Sequence, residues 1–126
     1  MIVGIGVDAV EIARVERMFL NRREQMLGRL FTPHEVEYLA AKARPAQHLA
    51  VRLAAKEAAY KALSGNDLAR GIGWRDIEVF SRADGSPELR LHGRAADRFK
   101  ELGGACVHVS LTHSEVTAVA VVIVER

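Results

Sequence analysis

The chain has 126 residues, 49% of them hydrophobic, which suits a single domain over residues 1–126 with a real core. Eighteen Lys and Arg against sixteen Asp and Glu leave a net charge of +2, too mild to argue for nucleic acid. One cysteine rules out an internal disulfide, no apolar run approaches the length of a membrane span, and no basic-then-apolar leader is present, so a cytoplasmic protein is expected.

Residues 1–7 alternate as a strand. Met1, Val3, Ile5 and Val7 share one face, expected to meet the core, and Ile2, Gly4, Gly6 and Asp8 share the other. The two glycines strip that second face of side chains beside Asp8 and leave room for something to approach. Gly4-Ile5-Gly6 is not a dinucleotide fingerprint, because the third glycine is missing and an acid follows at once. Asp8 stands at the expected strand-to-helix junction, where a helix N-cap is the plain alternative to a functional role.

Residues 9–20 predict a helix, with Val10, Ala13, Arg14, Arg17 and Met18 at helical spacings. Arg14, Arg17, Arg22, Arg23 and Arg29 crowd this region against only Glu16 and Glu24. Such a surface suits an acidic partner, phosphate groups or, most often, plain solvent. Phe31-Thr32-Pro33-His34-Glu35 is a helix start, with Thr32 as N-cap, Pro33 at N1 and Glu35 at N3 in a capping box. Val36, Leu39 and Ala40 form its apolar side, and the helix ends before Pro45.

Residues 46–63 predict the central helix. At about 100° per residue, Val51, Ala54, Ala55, Ala58 and Ala62 form a small-residue stripe, and Leu49, Leu53, Tyr60 and Leu63 a bulkier one. Arg52 and Lys56 lie on one seam between the stripes, and Glu57 and Lys61 on the other. A solvated helix gathers its charges on one outer face. Charges at the seams of two apolar faces predict a helix wedged between neighbours.

Residues 65–73 are expected to form a loop, a candidate ligand cover. Residues 77–81 and 88–92 form a hairpin about Asp84-Gly85-Ser86-Pro87. Residues 94–102 are a helix ended by Gly103 and Gly104. Residues 105–111 and 116–124 are strands, the last apolar on both sides and so central or at an interface. Cys106, in an apolar run, reads as a small buried hydrophobe. The class is α+β, with helices packed on a mainly antiparallel sheet and a long central helix.

Asp8 and Glu57, from distant segments, can hold one hard cation. Magnesium favours one or two carboxylates, water and substrate phosphate oxygens. No zinc-type His/Cys ligand set stands out. Arg52 and Lys56 are like charges four apart, a pairing that costs about 0.2–0.5 kcal/mol on a free helix. An anion between them would turn that repulsion into a site. Glu57 and Lys61 are most simply a helix-stabilising ion pair. His113 sits among Ser110, Thr112 and Ser114 in a turn, without a nucleophile–His–acid order. Three readings stand side by side: a magnesium-dependent phosphate-handling site, a binding module for an acidic partner or nucleotide, and a purely structural oligomer.

Four motifs occur in order over nearly the whole chain. They are Gly4-Ile5-Gly6-Val7-Asp8 with Glu11 and Arg14; Phe31-Thr32 with Glu35; Arg52-Leu53-Ala54-Ala55-Lys56-Glu57-Ala58; and Val109-Ser110-Leu111-Thr112-His113-Ser114. Together they resemble the holo-[acyl-carrier-protein] synthases, the small bacterial class of 4′-phosphopantetheinyl transferases. The resemblance implies transfer of the phosphopantetheine arm of coenzyme A to a serine of apo acyl carrier protein, in support of fatty acid biosynthesis. Adenosine 3′,5′-bisphosphate would leave. It implies Mg²⁺ held by Asp8 and Glu57, Lys61 on a pyrophosphate oxygen, and Arg52 and Lys56 near the phosphates. It places His113 at the same phosphates or a metal-bound water. Glu57, His113 and a metal-held water all remain open as the base. It implies that Arg14, Arg17, Arg22 and Arg23 receive the acidic carrier, and that the enzyme is a homotrimer with active sites at subunit contacts.

Overall fold

The computed structural model describes residues 1–126. Its elements are β1 (Ile2–Glu11), α1 (Ile12–Leu30), α2 (Pro33–Ala40), α3 (Pro45–Leu63), α4 (Asp67–Arg70), a single 3₁₀ turn (Trp74–Asp76), β2 (Ile77–Ser81), β3 (Pro87–Leu91), α5 (Gly93–Glu101), β4 (Cys106–His113) and β5 (Thr117–Glu125). All pairings are antiparallel, but they divide into two sheets, β1-β5-β4 and the β2-β3 hairpin, where the sequence suggested one.

The wedge expected for the central helix is present. Along α3 nearly every residue from Leu49 to Ala59 is buried, charged ones included. Its alanines pack between Val122 and Val124 of β5 on one side and Ile77, Val79 and Leu89 of the hairpin on the other. Its first turns meet Ile12, Val15 and Phe19 of α1, with Phe31 and Leu39. The Thr32–Glu35 capping box also forms as expected.

The two faces of β1 are the reverse of the expectation. Ile5 and Val7 are 64% and 56% exposed, and Gly4, Gly6 and Asp8 face α3. Two causes explain this. A bulge between Ile2 and Gly4 shifts the alternation, so Ile2 shares the outer face with Ile5. The glycines let a helix backbone come within touching distance: a Cβ on Gly4 would lie 2.0 Å from the Ala62 carbonyl oxygen, and one on Gly6 1.8 Å from that of Ala58. What approaches the stripped face is the protein's own helix.

Other bounds move too. The first helix starts at Ile12, so Asp8 is inside a strand and caps nothing. That helix continues to Leu30 through a kink at Arg22, and it buries Ile12, Val15, Phe19 and Met26. The expected loop 65–73 contains the short α4, capped by Asn66. Cys106 is exposed, not buried. The last strand is central, as its two apolar sides required. Its outward residues Val119, Val121 and Ile123 align with Ala9, Val7 and Ile5 to make an open apolar sheet face.

Candidate active site

Asp8 projects from the inner face of β1 and Glu57 from the middle of α3. Both line one cavity of about 610 Å³, with Arg14, Met18 and Trp74. The register explains why. The Gly4–Gly6 approach holds β1 hard against α3, so the side chain two residues on reaches the helix edge. Lys61, one turn beyond Glu57, donates to the Val7 carbonyl at 3.0 Å and to Asp8 Oδ1 at 3.2 Å. The i,i+4 pairing of Lys61 with Glu57 is therefore corrected: its partner is Asp8, from another element. Glu57 takes part in none of the molecule's ion pairs. A second cavity of about 230 Å³ lies on the other side of Glu57, against Tyr60 and Ile72, and Glu57 and Trp74 wall both.

Lys56 touches the second cavity but turns its ammonium inward. It is 1% exposed, and its ammonium donates to Glu35 Oε1 at 2.7 Å, to the Trp74 carbonyl at 2.9 Å and to the Ile77 carbonyl. An ammonium has three N–H donors, and all three are used. The anion imagined between Arg52 and Lys56 has no donor left at Lys56. Burial lowers the Lys56 pKa, and the Glu35 charge opposes that. Glu35 also accepts from the Thr32 and Val79 backbone N–H groups, so the capping box anchors α2, α3 and β2 together.

Arg52 forms the centre of a second cluster. Five residues separate it from Glu57, about 140° around the helix, so the two point away from each other. Its guanidinium carbon lies 4.0 Å from the centre of the Tyr38 ring. Nη1 donates to the His48 carbonyl at 3.4 Å and Nη2 to Ser81 Oγ at 3.5 Å, but the buried Nε–H has no partner. Burial, with the charges of Arg52, Lys42 and His113, holds His48 below its ordinary pKa. His113 donates from Nδ1 to the Ser114 carbonyl at 3.2 Å, leaving Nε2 outward. Two cations, Arg52 and Lys42, and two histidines, His48 and His113, thus gather around an orphaned N–H, an arrangement that suits an anion. Asp8 and His113 lie on the two outer strands of the sheet, which are about 10 Å apart across β5, opposite Ala120 and Ala118 respectively.

The arginines of α1 also divide. Arg14, Arg17, Arg22 and Arg29 line a groove of about 440 Å³ that adjoins the Asp8–Glu57 cavity through Arg14, Met18 and Leu30. Arg23 turns away and stacks on Phe19 at 5.2 Å. Trp74, His48 and Tyr38 escaped the sequence analysis. The one usable signal was the lone Trp directly after Gly71-Ile72-Gly73.

Comparison with known proteins places the chain in a family. Residues 4–120 match the 4′-phosphopantetheinyl transferase superfamily. The holo-[acyl-carrier-protein] synthase of Geobacter sp. (strain M21) is 48% identical over 127 residues, covering all of both chains. The crystal structure of the Neisseria meningitidis holo-[acyl-carrier-protein] synthase superposes with a TM-score of 0.87 at 31% identity, again over all of both chains. The Bacillus anthracis synthase, solved in complex with CoA (3′,5′-ADP), gives a TM-score of 0.77 at 32% identity over 98% of this chain and 96% of that one. The chain belongs to the 4′-phosphopantetheinyl transferase superfamily, among the holo-[acyl-carrier-protein] synthases.

Proposed function

We propose that the cavity at Asp8 and Glu57 is where this chain acts on coenzyme A and acyl carrier protein. As a holo-[acyl-carrier-protein] synthase, it moves the 4′-phosphopantetheine arm of coenzyme A onto a carrier serine and serves fatty acid biosynthesis. Adenosine 3′,5′-bisphosphate is the leaving group. The observation that carries the site is the pair of carboxylates from distant segments on one cavity wall, one of them without a cation.

That donor set fits magnesium: two carboxylates, room for water and phosphate oxygens, and no nitrogen or sulfur ligand. Asp8 and Glu57 hold the ion. When bound, it neutralises the pyrophosphate and fixes the position of the attacked phosphorus. Lys61 orients Asp8 with one N–H group and holds the Val7 carbonyl with a second, and its third is free for a pyrophosphate oxygen. The arginine groove receives the acidic carrier and delivers its serine through the shared wall at Arg14 and Met18.

The Arg52–His113 cluster takes the phosphate at the far end of the nucleotide. Within one chain it faces away from Glu57, so it completes the cavity of a neighbouring copy. The open sheet face of Ile5, Val7, Val121 and Ile123 is where such copies meet, in a homotrimer. The enzyme works in the cytoplasm, where the single thiol stays reduced. No helix is long and apolar enough to cross a membrane.

The test is direct. The protein is incubated with apo carrier protein, coenzyme A and Mg²⁺, and the carrier is weighed. It gains the mass of one phosphopantetheine arm, and no gain refutes the function. Light scattering that finds only single chains refutes the trimer.

A further inference from the structure

We propose that Cys106, His108 and Glu125 form a separate site for a zinc-class divalent ion. The sequence shows no such set, because its members are dispersed. Antiparallel pairing of β4 and β5 assembles them. Cys106 and His108 are two apart on β4 and so share a face, and Glu125 lies directly opposite Cys106 in the register. The Cys106 sulfur, a His108 ring nitrogen and a Glu125 carboxylate oxygen all lie within 4.8 Å of one another.

The chemistry selects the ion. A thiolate, an imidazole and a carboxylate are a mixed set that suits zinc and excludes magnesium, which takes oxygen ligands. Three protein ligands leave a fourth position for water or another donor. His108 Nε2 and Glu125 Oε1 are 3.1 Å apart. Two tetrahedral ligands at zinc bond lengths sit about 3.3 Å apart, and closing the sulfur onto the same centre takes about 1 Å of side-chain movement. The backbone need not move, because paired strands hold all three Cα positions. Binding expels one proton, from the thiol. All three residues lie on the outer face of the sheet, on the opposite side from Asp8 and Glu57, with His108 paired to Ile123, so the site adjoins the face on which copies are proposed to meet.

Cys106 is the only cysteine, so any metal–thiolate signal reports this site alone. The assembled protein is titrated with Co²⁺ and followed in the near ultraviolet. A thiolate-to-cobalt charge-transfer band should grow to one equivalent per chain, and Zn²⁺ should displace it. Cys106→Ser should abolish the band. His108→Ala and Glu125→Gln should each weaken binding by at least the roughly 10–100-fold that even an outer partner is worth. An Asp8→Ala, Glu57→Ala double variant should keep the band, which separates this site from the catalytic one and from the fate of the transfer assay. The proposal is overturned if no stoichiometric band appears. It is also overturned if the band is unchanged in both His108→Ala and Glu125→Gln, since the thiol would then be acting alone.

Discussion

Lys56 and Glu57 are adjacent in sequence and opposite in circumstance. Lys56 is sealed in the interior with every donor used, and it ties α3 to α2 and to the turn before β2. Glu57 stands at the wall of two cavities without a cation. One turn either way the contrast repeats: Lys61 reaches an open pair with Asp8, while Arg52 is buried against Tyr38. A helix wedged between layers divides its charges by direction. Lys56, aimed into the hairpin, holds the protein together, while Glu57 and Lys61, aimed at the β1 edge, stay open to the cavity.

The contrast breaks most visibly at Lys56. Lys56→Met leaves Glu35 charged and buried, and should cost about 3–5 kcal/mol of stability. Chemical denaturation measures it, and a loss under 1 kcal/mol would show that the pair is not the internal fastening described. Glu57→Ala should do the reverse. Turnover should fall by about 10²–10³-fold, as when a single charge-stabilising group is removed from an active site, with the unfolding midpoint nearly unchanged. Near-normal turnover in both Glu57→Ala and Asp8→Ala would remove the metal assignment.

A pH series sharpens the same division. Burial raises the Glu78 pKa, but the Thr32 hydroxyl and His92 outweigh it and leave the carboxyl below its usual value. A depressed carboxyl contributes stability that is complete above the ordinary carboxylate range and is lost as pH falls through the folded value. Glu78→Gln should therefore flatten the acid limb of the stability curve. An unchanged acid limb would count against the Thr32–Glu78–His92 chain. The smallest effect belongs to the α1 groove. Arg17→Ala should weaken carrier binding by about 1 kcal/mol or less and reduce its salt sensitivity. Arg23→Ala, outside the groove, should leave both alone, and equal effects would mean that the groove is not the dock.

Much of this was legible in the chain. The Thr32–Glu35 box, the wedged helix and the Asp84–Pro87 hairpin follow from local rules of capping, periodicity and turn chemistry, and each formed. The failures share a cause: they concern partners that come from elsewhere. Alternation in β1 marks two faces but does not say which is inside, and a close-packed helix backbone took the glycine face. Lys61 reads as the mate of Glu57 until β1 brings Asp8 to it. Lys56 reads as an anion ligand until Glu35, 21 residues earlier, is folded beneath it. The cluster of Cys106, His108 and Glu125 exists only once β4 and β5 are in register. The run Lys56-Glu57 reads as one functional motif, yet it joins a fully paired interior residue to one on an open cavity wall.

Gly4 and Gly6 have a consequence for how this protein tolerates change. Neither carries an atom that can touch a substrate, yet a single methyl at Gly6 would collide with the Ala58 carbonyl and lever β1 away from α3. Asp8 rides on that strand and would go with it. A mutational survey scored on activity would thus rank two featureless positions beside the proposed metal ligands. A library built to evolve the enzyme toward new carriers has its freedom along the α1 groove if that is the dock, while these two glycines must be left alone.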